Sequence, residues 1–228
     1  MLRRVATCGA EECREPTVSY FDRVTETFGD VPHMTEQPAR ELRDLITKSG
    51  ARDILELGTL HGKSAAYMAA TLEDLGREGH VTTIDLTTAP DRVPNAAEVL
   101  ETLGLSHRVT GVLAHRSHTW EIGKWLHDGK RAIFDLCFFD GGHTYDPTTL
   151  GLFQVDLLMR PGGLIIVDDL HWTIDRSSLS EAFKAEFSEE ERAAKPVGMA
   201  FRNVLRERGY KLSYANNRRW GVAQKPMG

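Results

Sequence analysis

The sequence predicts an α/β fold: a doubly wound, mostly parallel sheet of about seven strands with helices on both faces and a last strand that runs antiparallel. Two observations lead to it. The apolar run 136–139 stops at Asp140, and the run 164–167 stops at Asp168 and Asp169; short apolar runs bounded by turn residues suit strands buried on both faces. Between them, Leu150, Phe153, Leu157 and Leu158 fall at helical spacing before the turn Pro161-Gly162-Gly163, a stripe able to cover one face of a sheet. Two parallel strands joined by such a crossover end on the same sheet edge, where open α/β sheets bind ligands. Asp140, Asp168 and Asp169 are therefore expected to converge.

A chain of 228 residues, 41% of them hydrophobic, is long enough for one sizeable core and short for two domains. Residues 1–228 are read as a single domain, with N-terminal helices over 1–50 and the sheet over 51–228. A formal net charge of -5 without a Lys/Arg block argues against a phosphate-binding face and against nucleic acid as a partner. Cys8, Cys13 and Cys137 are an odd set without paired zinc spacing, and Cys137 falls inside an expected buried strand, which suits a reducing cytoplasm. The basic start at residues 1–4 runs at once into polar sequence, so no signal-peptide core is expected, and no apolar run approaches membrane-spanning length.

Taken in order, residues 1–15 carry no pattern. Val18, Phe21, Val24 and Phe28 give helical spacing ended by Gly29, and a second helix follows Thr35 as N-cap, turns Leu42, Leu45 and Ile46 inward and ends at Gly50. The connection 29–35 is either a wall on the substrate side or an ordinary helix link. Strand 53–57 opens into a glycine-bearing loop and an alanine-rich helix over 64–75. Strands 80–86 and 109–113 come next, then the pair that ends in acids. Leu179, Phe183 and Phe187 place a helix over 177–195, a lid or a plain surface helix, and 199–208 reads as a helix closed by Gly209. Residues 210–214 and 220–224 flank Asn216-Asn217, the signal of a closing hairpin.

Three clustered carboxylates repel one another, so one keeps its proton unless donors or a cation compensate. Oxygen-only ligands favour Mg²⁺ or Ca²⁺ over Zn²⁺; the alternative is that each Asp caps the loop or helix after its strand. The loop after the first strand adds a second signal. Gly58 and Gly62 allow a tight turn and close approach to a ligand, and the following helix presents free N–H groups. Glu56 precedes the loop, and Asp85 near the end of the next strand suits hydrogen bonding to ribose hydroxyls. The dinucleotide fingerprint G-x-G-x-x-G is absent. Gly62-Lys63-Ser64 mimics the tail of a phosphate loop, but residue 57 is leucine where that loop starts with glycine, so the expected nucleotide lacks a polyphosphate.

The run E-L-G-T-L-H-G-K-S at 56–64, Asp85, and F-D-G-G-H-T-Y at 139–145 resemble class I S-adenosylmethionine-dependent methyltransferases. More narrowly, the chain is similar to the metal-dependent O-methyltransferases of the catechol type and the antibiotic- and sugar-tailoring branch, over about residues 35–225. The resemblance implies a Rossmann-like fold, S-adenosyl-L-methionine as cofactor, Mg²⁺, and a small hydroxylated acceptor of the kind found in secondary metabolism. It assigns Glu56, Gly58 and Gly62 to the cofactor's amino-acid side, counts Thr59, Ser64 and Asp140 among the cofactor's other contacts, and makes Asp140 catalytic together with His143. Asp85 goes to its ribose, and Leu86, Ser117 and His118 to its adenine. Asp140, Asp168 and Asp169 stand where the catechol type has its metal ligands, although its last ligand is Asn. Its lysine base, three residues after the first ligand, is replaced here by His143.

The reaction expected is in-line attack of an acceptor oxygen on the sulfonium methyl group. Positioning supplies much of the acceleration, roughly 7–11 kcal/mol in favourable cases. A hydroxyl held by Mg²⁺ loses its proton more readily, and His143, with an ordinary pKa of about 6.5, accepts it. His171 is the rival base, and Tyr145 is within reach of the pocket. Trp120 is expected either in the core or against the ligand. A homodimer is expected. Two further functions stay open: a metal-independent methyltransferase acting on nitrogen or a carboxylate, and a non-catalytic S-adenosylmethionine-binding module; a nicotinamide oxidoreductase is more distant.

Overall fold

A computed structural model describes residues 18–228; Cys8, Cys13 and the patternless stretch 1–15 lie outside the described residues. The strands are β1 (Asp53–Leu57), β2 (His80–Leu86), β3 (Val109–Ala114), β4 (Phe134–Phe139), β5 (Met159–Val167), β6 (Lys211–Ala215) and β7 (Trp220–Gln224). They form one sheet in the order β3-β2-β1-β4-β5-β7-β6. β1 to β5 pair in parallel, while β7 is antiparallel to both β5 and β6. This is the Rossmann-like arrangement the sequence predicts, antiparallel end included.

Period-two alternation divides each buried strand between two cores. Ile54 packs on one face of the sheet and Leu55 and Leu57 on the other, as successive side chains of a strand must. The first face carries α1 (Tyr20–Phe28), α2 (Glu36–Ser49) and α3 (Lys63–Asp74), with Phe21, Val24, Leu42 and Ile46 buried among the alanines of α3. Small side chains on α3 let α1 and α2 approach closely. Phe138 and Trp220 meet edge to face at 5.5 Å, an arrangement worth about 0.5–1.5 kcal/mol beyond its buried area, which ties β4 to β7.

Two helices escape the apolar periodicity: α4 (Ala96–Leu103) and α5 (His118–His127). α4 is set by a capping box in which Asn95 and Glu98 exchange bonds; α5 is capped by Ser117. In α6 (Tyr145–Leu158) the expected stripe is wrong by about one position. Leu150 and Phe153 are roughly half exposed, and the buried face is Thr148, Gly151, Leu152, Val155 and Leu158. The inward face is set by Gly151, where any Cβ would run into the rings of His118 and Phe139. It is set also by buried Asp156, which accepts from Tyr210 Oη at 2.8 Å and Arg208 Nε at 2.8 Å and pairs with Lys225 at 3.2 Å. Counting only apolar residues misses both anchors.

The helix expected over 177–195 is two short ones, α7 (Glu181–Lys184) and α8 (Glu189–Ala193). Ser180 and Ser188 each start a new helix with a capping bond, which is why the run is interrupted. The last helix begins at α9 (Pro196–Ala200) and continues as a π-helical turn over Phe201–Leu205. Trp120 lies in the first turn of α5 and is 70% exposed, so it is not a core residue. Among the described residues no helix is long and apolar enough to cross a membrane.

Candidate active site

Register brings the pieces together. Leu57 pairs with Phe139 and Phe139 with Val167, so β1, β4 and β5 end level and release Gly58, Asp140 and Asp168 side by side. β1 and β4 are also where the strand order reverses, the crevice in which open α/β sheets bind ligands. The seam is tight: Asp140 N donates to Leu57 O at 2.8 Å and Gly58 N to Ile84 O at 2.9 Å. Gly58 sits at φ +94°, and a Cβ there would collide with the carbonyl of Asp140. Glycine is required for both reasons.

Below the loop, Glu56 is wholly buried. Its carboxyl accepts from Ser64 Oγ at 2.5 Å and Thr83 Oγ1 at 2.5 Å, and Thr83 is bonded in turn to Thr59 Oγ1. Burial pushes the Glu56 carboxyl up to about 8, against the opposing effect of those two hydroxyls. Asp85 accepts from the backbone N–H groups of Thr59 at 2.9 Å, Leu60 at 2.6 Å and Leu86 at 2.6 Å. Both acids therefore brace the loop. Gly62 takes φ +80° and N-caps α3 without a side-chain bond.

After β4 and β5 lies a group of opposite character. Asp140, His143 and Asp169 bring one ligand atom each within 4.8 Å of one another. His143 Nε2 stands 3.4 Å from Asp140 Oδ1 and 3.4 Å from Asp169 Oδ2, but is buried without a well-formed hydrogen bond. Its ring stacks on Trp172 at 5.3 Å. Burial disfavours the imidazolium, yet the two carboxylates outweigh it and raise the pKa to about 9. Asp169 is driven up by burial but held below the usual carboxylate range by His143 and Arg219. It has φ +57°, uncommon for a residue with a Cβ.

The third acid faces elsewhere. Asp168 accepts from Arg219 Nε at 2.7 Å and Nη2 at 3.2 Å, and the same guanidinium reaches Asp169 Oδ1 at 3.0 Å. Burial and the charge of Asp140 raise Asp168 to about 6 in spite of Arg219. Two carboxylate oxygens and an imidazole nitrogen, held within a few ångströms, suit a divalent cation. Arg219 and His143 already supply positive charge to the same acids.

A cavity of about 140 Å³ opens between the two groups, walled by Gly58, Thr59, Ser64, Asp140, Asp168 and Arg219. Residues 32–35 of the α1–α2 connection form its far wall. Asp85 lines a separate, mostly apolar hollow of about 320 Å³ against α4. Leu86 is exposed at the end of β2. Ser117 bonds Thr119 N at 3.1 Å as cap of α5. His118 is packed against Phe139 with Nε2 lacking a partner, and burial lowers it to about 4. His171 is exposed, and Tyr145 accepts from Asn203 Nδ2 at 3.3 Å.

Arg219, Thr83 and Lys63 are the residues that sequence reasoning did not find. Arg219 follows the hairpin turn and reaches the acids from the start of β7, the strand next to β5; Thr83 occupies an ordinary strand position. Lys63 carried the one readable signal, its place between the second loop glycine and Ser64.

A family model described as a methyltransferase domain matches residues 55–170, from β1 through the acid pair after β5. Comparison with curated proteins returns no match. Among solved structures, the chain is similar to an O-methyltransferase from Streptomyces achromogenes involved in tomaymycin synthesis, in complex with S-adenosylmethionine. Identity there is 20%, coverage 93% of this chain and 91% of that one, and the TM-score 0.60. An O-methyltransferase from Bacillus cereus in complex with S-adenosylhomocysteine gives 20% identity, 92% and 90% coverage and a TM-score of 0.58. A proposed caffeoyl-CoA O-methyltransferase from Staphylococcus aureus gives 18%, 90% and 90%, and 0.63. At these identities the likeness is one of fold.

Proposed function

The chain belongs to the methyltransferase-domain family, and from that premise we propose that it is an S-adenosylmethionine-dependent O-methyltransferase acting on a hydroxyl of a small molecule. The observation that carries this is the convergence of Asp140, His143 and Asp169 beside the glycine loop at the β1/β4 edge. The cofactor supplies an electrophilic methyl group. The protein's own part is to hold the acceptor oxygen in line with it and to take up the oxygen's proton.

Gly58 keeps the loop pressed against the end of β4, because a Cβ there would meet the Asp140 carbonyl. Glu56, Thr59, Gly62 and Ser64 shape the cofactor's amino-acid side; Asp85, Leu86, Ser117 and His118 lie on its nucleoside side. His143 is the proposed base, oriented by Trp172 on its face and by two carboxylates at its Nε2. Asp140, Asp168 and Asp169 would hold a divalent cation, Mg²⁺ by the hardness of the oxygen donors. It would lower the pKa of an acceptor hydroxyl.

The presence of a relative in tomaymycin synthesis supports an acceptor from secondary metabolism. The same reading takes residues 1–228 as one domain and the protein as a cytoplasmic homodimer. Methyl transfer from labelled S-adenosylmethionine to catechols, phenols, sugars and hydroxylated antibiotic precursors tests it, run with Mg²⁺ and with EDTA. Loss with EDTA and recovery with Mg²⁺ are expected; absence of transfer to every hydroxyl acceptor would overturn it. One observation favours a second reading, metal-independent transfer: Arg219 and the His143 imidazolium already set two positive charges against the three acids. Transfer indifferent to EDTA decides for it.

A further inference from the structure

Lys63 is 3% exposed, and its Nζ donates to Gly29 O at 2.9 Å and Val31 O at 2.7 Å. An ammonium has three donors, so one remains after these two carbonyls. No described carboxylate pairs with it; Asp30 acts only from longer range, and burial lowers its pKa. Burying a charge without a counter-charge is costly, so this position calls for an anion. Lys63 is one of the residues that line the cavity, together with Gly58, Thr59 and Ser64.

The backbone agrees. α3 begins at Gly62 with no side-chain cap and no acid in its first turn. The other described helices of eight residues or more each bring an acid of their own there: Asp22, Glu36, Glu98, Glu121 and Asp146. Among the described residues, the first N–H groups of α3 and the partial positive charge of its N-terminus thus have no side-chain cap and no first-turn acid, beside a buried ammonium.

We propose that Lys63 binds the carboxylate of the cofactor's amino-acid end, with its other two donors fixing the 29–31 loop as the wall of that subsite. This rests on S-adenosylmethionine being the cofactor, and it assigns to one lysine both the anion contact and the link to the substrate-side loop. Lys63 is thereby a binding residue, remote from the acids that handle the acceptor proton.

Calorimetry of the full chain with S-adenosylhomocysteine and with its decarboxylated analogue, which keeps the amine, isolates the carboxylate. Wild type should prefer S-adenosylhomocysteine by ~10-fold or more, the size expected of a hydrogen bond to a charged group. Lys63→Met should lose ~10- to 100-fold for S-adenosylhomocysteine and bind the analogue as wild type does, which also reports that it folds. Lys63→Arg, keeping the charge, should retain part of the preference and carries the test should Lys63→Met fail to fold. Equal loss for both ligands in a folded variant, or an unchanged preference, overturns the proposal and leaves Lys63 a prop for the loop. Wild-type binding of both ligands without preference overturns it as well, with the cofactor assignment intact. Wild-type binding of neither overturns that assignment and this proposal with it.

Discussion

The loop after β1 and the acids after β4 and β5 share one sheet edge but handle charge in opposite ways. Around Glu56 and Asp85 the oxygens are taken up by hydroxyl and amide donors at 2.5–2.9 Å. Around His143 the approach is 3.4 Å to each carboxylate, and the pKa values are spread from below the usual range at Asp169 to about 6 at Asp168 and about 9 at His143. In the first region both acids are already satisfied by donors; the second sets three carboxylates against one guanidinium and one imidazole. A binding loop must be preorganised, whereas a site that changes protonation during turnover needs groups whose charge can be moved.

The sharpest way to break the contrast is Asp169→Ala, which leaves no side-chain oxygen to hold a cation. It removes a charge from the strained side and leaves the loop alone. Cation-assisted transfer should fall on the order of a thousand-fold, matching several kcal/mol of lost charge stabilisation, while calorimetric affinity for S-adenosylhomocysteine stays near wild type. Loss of that affinity instead would mean the two regions are not separable.

His143→Gln comes next, with an expected loss of ~10²-fold or more in kcat if the imidazole is the base. Its pH signature is signed. The folded pKa of about 9 lies above the ordinary 6.5, so the protonated ring contributes stability that is fully present below about 6.5 and lost as pH rises through about 9. Wild type should exceed the variant in urea midpoint at pH 6 and match it by pH 10. The wild-type rate should rise with pH toward that range, and Mg²⁺ should move the rise to lower pH. A flat rate profile would remove His143 as the base.

Gly58→Ala attacks the seam between the two regions. A left-handed backbone with a Cβ and a collision with the Asp140 carbonyl should together cost about 2 kcal/mol or more, seen as a lowered thermal midpoint. The same variant should weaken cofactor binding, because the loop can no longer lie against β4.

Much of this edge was legible because strands announce themselves: apolar runs ending in Asp140, Asp168 and Asp169, and glycines at 58 and 62, place the ligand side before any distance is known. What stayed hidden has physical reasons. α4 is short and small-residued, and only its Asn95/Glu98 box marks it. The inward face of α6 is held by a glycine and a buried Asp that a hydrophobic count passes over. Arg219 and Lys63 act at the ends of long side chains that reach other elements, and spacing along the chain does not encode where such chains land. The three acids converge as expected, but nothing in the sequence signals that Arg219 pairs with both Asp168 and Asp169 or that His143 stands between Asp140 and Asp169.

Thr83→Val probes the satisfied side with the gentlest change, equal in shape and lacking one hydroxyl. Glu56 loses the donor on one carboxyl oxygen and Thr59 its partner, for an expected cost of about 1 kcal/mol. The pH dependence distinguishes this from simple packing loss. Glu56 titrates at about 8 in the fold against an ordinary 4.5, so the folded state holds the extra proton between those values. Its contribution is fully present below about 4.5 and is lost as pH rises through about 8. Removing Thr83's donor disfavours the carboxylate further, so the deficit of the variant should be smallest near pH 5 and grow toward pH 8. Urea midpoints at the two pH values measure it. A deficit equal at both would mean that Glu56 is not the group Thr83 serves, and the loop would then owe its rigidity to Asp85 and the glycine seam alone.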